Sequence, residues 1–207
     1  MILIIDVASD PTPHLAQLKA AGVRTIFGYL SSINPHGEKC WTPQRVKTVA
    51  AAGFRIGLIC EGWGGVDGKG ISQFDGVRDG GYCRATASSL GAPHSACIYF
   101  AVDNDFDLPQ IRTLVIPYFE GIAAYFDDNY YRVGVYGSGA VCEAVKSLGL
   151  VDLTWQAQSR GWMKYSEWHA KADLIQGPEQ KLAGLDVDSD FANAPDIGDY
   201  EPNFGRS

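Results

Sequence analysis

The chain of 207 residues contains no apolar run of 18 or more, so no segment reads as a membrane-spanning helix and no membrane insertion is expected. Positive charge is also scarce. Seventeen Lys and Arg stand against 24 Asp and Glu, a formal net charge of −7. Such a chain, without a basic run interleaved with aromatics, is repelled by a phosphate backbone, and nucleic acid is not expected as a partner. Gly-rich phosphate fingerprints are missing too: Gly62-Trp63-Gly64-Gly65 and Gly137-Ser138-Gly139 match neither G-x-G-x-x-G nor G-x-x-x-x-G-K-[ST]. No nucleotide or other cofactor is expected.

Five cysteines (Cys40, Cys60, Cys83, Cys97 and Cys142) lack C-x-x-C spacing, and four histidines lack H-E-x-x-H spacing, so no zinc site is expected. Their odd number and scatter predict free thiols in a reducing cytosol, with Cys60 and Cys97 as small hydrophobes in apolar runs. The N-terminus opens directly into Met1-Ile2-Leu3-Ile4-Ile5-Asp6 with no basic region or cleavage site. A product made in the cytoplasm without a Sec signal is therefore expected.

What the chain does have is 46% hydrophobic residues, enough for the core of one domain over 1–207. Apolar β-rich runs alternate with helical patterns, beginning with Leu3 to Asp6, a helix over Leu15 to Ala21, and a strand ending at Tyr29. Thr42-Pro43 opens a further helix and Gly53 closes it before the strand Arg55 to Glu61. A helix near Gly76 to Leu90, a strand from Cys97, a long helix from Leu108 to Phe126 kinked by Pro117, and a strand over Arg132 to Gly137 continue the series. Ala140 to Leu148, Leu153 to Ala157, Ala172 to Gln176 and Gly184 to Asp188 complete it, with little helix late in the chain. Eight strands in this rhythm predict an α/β fold, a compact (β/α)8 TIM-like barrel with reduced helices near the C-terminus. A doubly wound open sheet is the alternative.

The polar residues favour the barrel. Asp6, Tyr29, Glu61, Asp103, Asp105, Tyr136, Gln156, Gln176 and Asp186 all fall near the C-terminal ends of predicted strands. In a barrel those ends form one rim, where active sites are built. Asp103 and Asp105 carry the sharpest signal: they end the run Ile98 to Val102 at i, i+2 spacing, which on a strand puts both on one face about 6 to 7 Å apart at Cα. Paired carboxylates suit acid/base cleavage of a glycosidic bond. Acidic residues leaving a strand for solvent are the competing explanation.

Taken in order, Asp6, Gly28-Tyr29-Leu30, Ile59-Cys60-Glu61-Gly62, Ile98 to Asp103, Val133 to Gly137, Trp155-Gln156-Ala157 and Gly184-Leu185-Asp186 resemble a glycoside-hydrolase-like barrel first catalogued as a domain of unknown function. Its relatives are the family 25 lysozymes, which cut peptidoglycan. The resemblance covers nearly the whole chain. Those lysozymes carry an Asp on the first strand, a D-x-E pair on a middle strand and an Asp near the last. Asp6, Asp103 and Asp186 match, and Asp105 stands where the Glu belongs. In the lysozymes that Glu is the general acid, so either Asp105 or Glu61 takes its place here, or the site binds glycan without cutting it.

The resemblance implies a muramidase-like enzyme, of the kind a phage or prophage releases as an endolysin, acting at the bacterial cell wall or periplasm on a β-1,4-linked N-acetylated glycan. Asp103 would orient the acetamido group, Asp105 or Glu61 would donate the proton, and Asp6 and Asp186 would set charge and position. Tyr29, Trp63, Phe106, Tyr136 and Trp155 offer ring faces for sugars, beside the amides of Gln156 and Gln176. Tyr29 and Tyr136 read equally as core-edge tyrosines, and Trp155 as barrel packing. Two further classes compete with the enzyme: a glycan-binding module on the same scaffold, and a hydrolase whose rim carboxylates hold Mg²⁺ or Ca²⁺.

Overall fold

The computed structural model describes residues 3–30, 40–62 and 71–202. Eight strands close into one barrel in sequence order: β1 (Leu3–Asp6), β2 (Val23–Tyr29), β3 (Arg55–Cys60), β4 (Cys97–Ala101), β5 (Arg132–Gly137), β6 (Leu153–Gln156), β7 (Leu174–Leu182) and β8 (Leu185–Ala192). β1 to β7 pair in parallel, and β8 runs antiparallel to both β7 and β1. The expected barrel is present with one reversal. Ala183 and Gly184, at φ 55° and 87°, form a two-residue turn that sends the chain straight back, leaving no length for a crossover helix.

Helices α1 (Leu15–Ala20), α2 (Pro43–Ala51), α3 (Gln73–Ser89), α4 (Leu108–Gln110), α5 (Ile116–Ala123), α6 (Gly139–Ser147) and α7 (Tyr165–Trp168) supply the outer layer. Their starts follow from short polar side chains: Thr42 accepts from Arg45 N, Ser72 from Asp75 N and Ser138 from Val141 N. The long helix read over Leu108 to Phe126 is divided. A π-helical stretch, Ile111–Val115, separates α4 from α5, and Pro117 falls in the first turn of α5, immediately after that stretch. Only α7, a single turn, lies between β6 and β7, in line with the expected thinning of helices late in the chain.

Strand alternation produces two separate apolar regions. One set, including Ile5, Ile26, Leu58, Ile98, Phe100, Val133 and Val135, faces outward and packs under the helices. The other fills the lumen: Ile4, Phe27, Ile59, Cys97, Tyr99, Leu153, Trp155, Leu174 and Ile197. Glycine makes room for its large members. A Cβ on Gly57 would stand 2.1 Å from the Phe27 ring, and one on Gly134 2.5 Å from the Tyr99 ring. Around the fully buried Trp155, the rings of Phe27, Tyr99 and Tyr136 sit at centroid distances of 4.9, 5.5 and 5.3 Å. At the N-terminal end the segment Ala194 to Tyr200 closes the lumen: Tyr99 donates to Ile197 O at 3.0 Å and Cys97 N to Gly198 O at 3.0 Å.

The expectation of free thiols is corrected. Cys60 and Cys83 form a disulfide linking the end of β3 to α3, whereas Cys97 and Cys142 are buried free thiols. The sequence spacing of 23 gave no motif to read, because the two sulfurs meet across the strand-to-helix interface. A disulfide persists in oxidising compartments and is rare in the cytosol.

Candidate active site

Apart from Asp190 the lumen is apolar up to the level of Trp155, and the next inward-facing positions, Asp6 after Ile4, Tyr29 after Phe27, Glu61 after Ile59, Tyr136 after Gly134 and Gln176 after Leu174, are polar. A cleft of about 370 Å³ opens there, at the C-terminal end of the parallel strands. Asp6, Tyr29, Glu61, Asp103, Tyr136, Gln176 and Asp188 line it, with Gln158 and Ser159 from the loop after β6. No lysine, arginine or histidine is among these lining residues.

A single amide organises the centre. Gln176 Nε2 donates to Asp6 Oδ2 at 3.3 Å and to Asp188 Oδ2 at 3.2 Å, and Gln176 Oε1 accepts from the Tyr136 hydroxyl at 2.7 Å. Burial raises the Tyr29 and Tyr136 hydroxyls well above their ordinary range, and the Asp6, Asp103 and Asp188 carboxylates push both further in the same direction. Both tyrosines therefore stay protonated and serve as hydrogen-bond donors. Asp188 is raised above its ordinary value by burial first, then by Glu179 and Asp103.

Beneath the cleft lies Asp190, fully buried in the lumen and held well above 3.8 by burial, with Asp6 and Asp188 adding to the effect. The Trp155 indole N–H favours its charged form weakly, yet neither group completes a hydrogen bond of ordinary geometry. A carboxyl so placed holds its proton to higher pH than an exposed one. The arrangement gathers four carboxyls, Asp6, Glu61, Asp103 and Asp188, at one cleft, the residue type that acid/base hydrolysis of a glycosidic bond uses.

Of the residues expected from sequence, Asp6, Glu61, Asp103, Tyr29, Tyr136 and Gln176 come together in the cleft, and Trp155 is its floor. Trp155 is 1% exposed, so it supports the site and offers no open face to a sugar. Four expectations are corrected. β4 ends at Ala101, so Asp103 and Asp105 share no strand face; Asp105 turns away and accepts from Met163 N at 2.9 Å. Asp186 stands on the exposed β7–β8 hairpin, 3.4 Å from Lys181, because a reversed β8 meets the rim two residues later, where Asp188 pairs with Asp6. Phe106 is buried under the helices, and Gln156, of opposite parity to Trp155, points out of the lumen and donates to Tyr165 O at 2.9 Å. Trp63 lies outside the described residues.

Asp188 and Asp190 escaped the sequence reading. Their signal was the alternation Asp186, Asp188, Asp190, which puts three carboxyls on one strand face once the strand is extended to Ala192.

The fold and its carboxyl-lined rim define a glycoside hydrolase-like α/β barrel. The chain belongs to the family described as "Rv2525c-like, glycoside hydrolase-like domain", whose model matches residues 16–192. It is 23% identical over 205 residues to "Putative peptidoglycan hydrolase Rv2525c" of Mycobacterium tuberculosis, covering 95% of this chain and 83% of that protein. It is 30% identical over 153 residues to FadG of Bacillus subtilis, 71% of this chain and 26% of that protein, and 28% identical over 164 residues to YbfG of the same organism, 73% and 22%. The chain thus spans about a quarter of the length of those two Bacillus relatives.

Among solved structures, that of the Tat-secreted Rv2525c superposes with a TM-score of 0.81 at 22% identity, covering 95% of this chain and 98% of the other. The modular autolysin LytC of Streptococcus pneumoniae, in complex with a synthetic peptidoglycan ligand, has the same fold, with a TM-score of 0.57 at 12% identity, covering 92% of this chain and 46% of LytC. The expectation of a product made in the cytoplasm without an export signal is overturned: the Mycobacterium tuberculosis protein similar over 95% of this chain is a Tat-secreted one, which points to export.

Proposed function

We propose that this protein is a cell-wall glycan hydrolase that cleaves a β-1,4-linked N-acetylated glycan of peptidoglycan outside the cytoplasm. The observation that carries the reading is the convergence of Asp6, Glu61, Asp103 and Asp188 on one cleft, with no cationic side chain among the described residues that line it. The peptidoglycan ligand of LytC and the name of the Mycobacterium tuberculosis relative support the substrate class. The Cys60–Cys83 disulfide and the secretion of that relative support the compartment.

In this reading Glu61 is the proton donor. It lines the cleft, while Asp105, at the position the family 25 lysozymes assign to the acid, is engaged with the Met163 amide. Asp103, exposed at the rim, orients the substrate acetamido group so that its carbonyl oxygen attacks the anomeric carbon. Glu61 protonates the departing glycosidic oxygen and then, as the conjugate base, takes a proton from the water that opens the cyclic intermediate. Asp6 and Asp188, fixed by Gln176, hold negative charge beneath the positive charge that develops on the sugar ring. Tyr29 lines the cleft beside the sugar, and Tyr136, its proton given to Gln176 Oε1, keeps that amide oriented.

The test is release of soluble fragments from purified sacculi by wild type and by Glu61→Gln and Asp103→Asn. Activity lost in both variants, with both still folded, supports the reading. A second reading, a glycan-binding module, is favoured by the diversion of Asp105 from the cleft. Retention of the protein on sacculi without release of fragments would establish it in place of the first.

A further inference from the structure

Three consecutive residues at the end of β3 are held in alternation. Cys60 and Gly62 face outward toward α3, and Glu61 between them faces the cleft. Their holders, Cys83 and Asp79, are four residues apart on one face of α3, a repeat of about 6 Å that matches the two-residue repeat of an extended chain. Cys83 is bonded covalently to Cys60. Asp79 packs so closely on Gly62 that a Cβ there would lie 1.8 Å from Asp79 Oδ2.

Both holders are themselves fixed. Asp79, 2% exposed, accepts from the Tyr118 hydroxyl of α5 at 3.0 Å and from Arg78 Nε at 3.0 Å. α3 and α5 touch backbone to backbone: a Cβ on Gly76 would meet Tyr118 O at 1.9 Å, and one on Gly121 would meet Gln73 O at 2.2 Å. A helix so tightly seated transmits its position to whatever is tied to it. The covalent tie falls on the residue immediately before Glu61.

We propose that the Cys60–Cys83 disulfide, seconded by Asp79, is a positioning clamp for Glu61, so that the cleft is fully assembled only after the chain has been oxidised outside the cytoplasm. This rests on the reading of Glu61 as proton donor. In the cytoplasm the two residues are thiols. On oxidation the Sγ–Sγ bond forms, two protons and two electrons leave, and a protein disulfide of the exporting compartment accepts them and becomes a dithiol. The chemical consequence is that hydrolysis of wall glycan is held back until the enzyme reaches the wall. Cys60 and Cys83 are positioning residues and touch no substrate.

Two readouts test the clamp on the whole chain. The first compares kcat and KM on soluble peptidoglycan fragments for the oxidised protein, the protein reduced with a phosphine, Cys60→Ala/Cys83→Ala and Asp79→Asn, each shown by circular dichroism to be folded at the assay temperature. Because a displacement of about 1 Å costs on the order of 100-fold in rate, kcat should fall to about that extent in the reduced protein and the double variant, with KM little changed. Asp79→Asn should fall less.

The second readout needs no activity. The Glu61 carboxyl carbon, isotopically labelled and assigned with Glu61→Gln, is titrated by NMR in oxidised and reduced protein against the surrounding Asp6, Asp103, Asp188 and Tyr29. The clamp predicts that its resonance and midpoint move on reduction. A folded, reduced protein with kcat within twofold of the oxidised form, or an identical Glu61 titration in the two forms, overturns it. If Glu61→Gln leaves hydrolysis intact, the proton-donor reading fails, and the titration still decides whether the disulfide positions Glu61.

Discussion

Asp6 on β1 and Asp188 on β8 stand opposite one another across an antiparallel pair, and the Gln176 amide from β7 donates to both carboxylates. The same side chain accepts from Tyr136 on β5 through its Oε1. Three adjacent strands around the closure of the barrel, and β5 across β6 from them, are thereby joined at one buried group. Replacing it by Gln176→Leu removes the shared donor and leaves two like charges facing each other. Stability should drop by about 1 to 3 kcal/mol, measured by urea unfolding. One of the two carboxyls should also retain its proton to higher pH, moving the acid limb of kcat/KM upward.

Asp190 gives a pH dependence of stability with a definite sign. Its carboxyl is raised in the folded chain by burial and by Asp6 and Asp188, while an unfolded Asp ionises near about 3.9. The folded state therefore holds a proton that the unfolded state releases, and stability falls as pH rises above about 4 until the folded carboxyl itself ionises. Asp190→Asn lacks this slope. The thermal midpoint of the variant should gain on that of wild type as the pH rises above about 4, and parallel curves would contradict the assignment.

The disulfide closes a loop with a sequence separation of 23. Loop-closure entropy assigns it about 3 kcal/mol. Reduced wild type and Cys60→Ala/Cys83→Ala should both unfold at lower urea concentration by that margin, and Cys97→Ala, which breaks no bond, should not follow them through the same mechanism.

The reversal of β8 separates two aspartates that sequence alone treats alike. Asp186→Ala should change neither stability nor hydrolysis measurably, since its contact with Lys181 is an exposed ion pair. Asp188→Ala, at the cleft and bonded to Gln176, should reduce hydrolysis of sacculi by at least about tenfold. Equal effects of the two substitutions would mean that the cleft described here is not the reacting site.

Much of this architecture was legible in the chain. The βαβ rhythm gave all eight strands, because period-2 apolar runs bounded by caps such as Thr42 and stops such as Gly53 are local signals. Asp6, Glu61 and Asp103 could be placed at one rim because each ends a parallel strand or follows its end within two residues. What failed depended on contacts distant in sequence. The direction of β8 is fixed by the Ala183-Gly184 turn, an unusual pair for left-handed backbone, and with it the choice between Asp186 and Asp188. Asp105 does not join Asp103 because strand β4 stops at Ala101 and the alternation rule no longer applies four residues beyond its end. The Cys60–Cys83 bond was hidden because it depends on how α3 seats against β3.

The central claim is that a glycan is cut at this cleft with Glu61 as acid. The most direct measurement is mass spectrometry of fragments released from purified sacculi by wild type and Glu61→Gln at equal protein concentration. Fragments with reducing N-acetylmuramic acid ends, abundant with wild type and reduced at least about 100-fold with the variant, are the predicted result. Wild-type digests without such ends, or the same yield from both proteins, would contradict it.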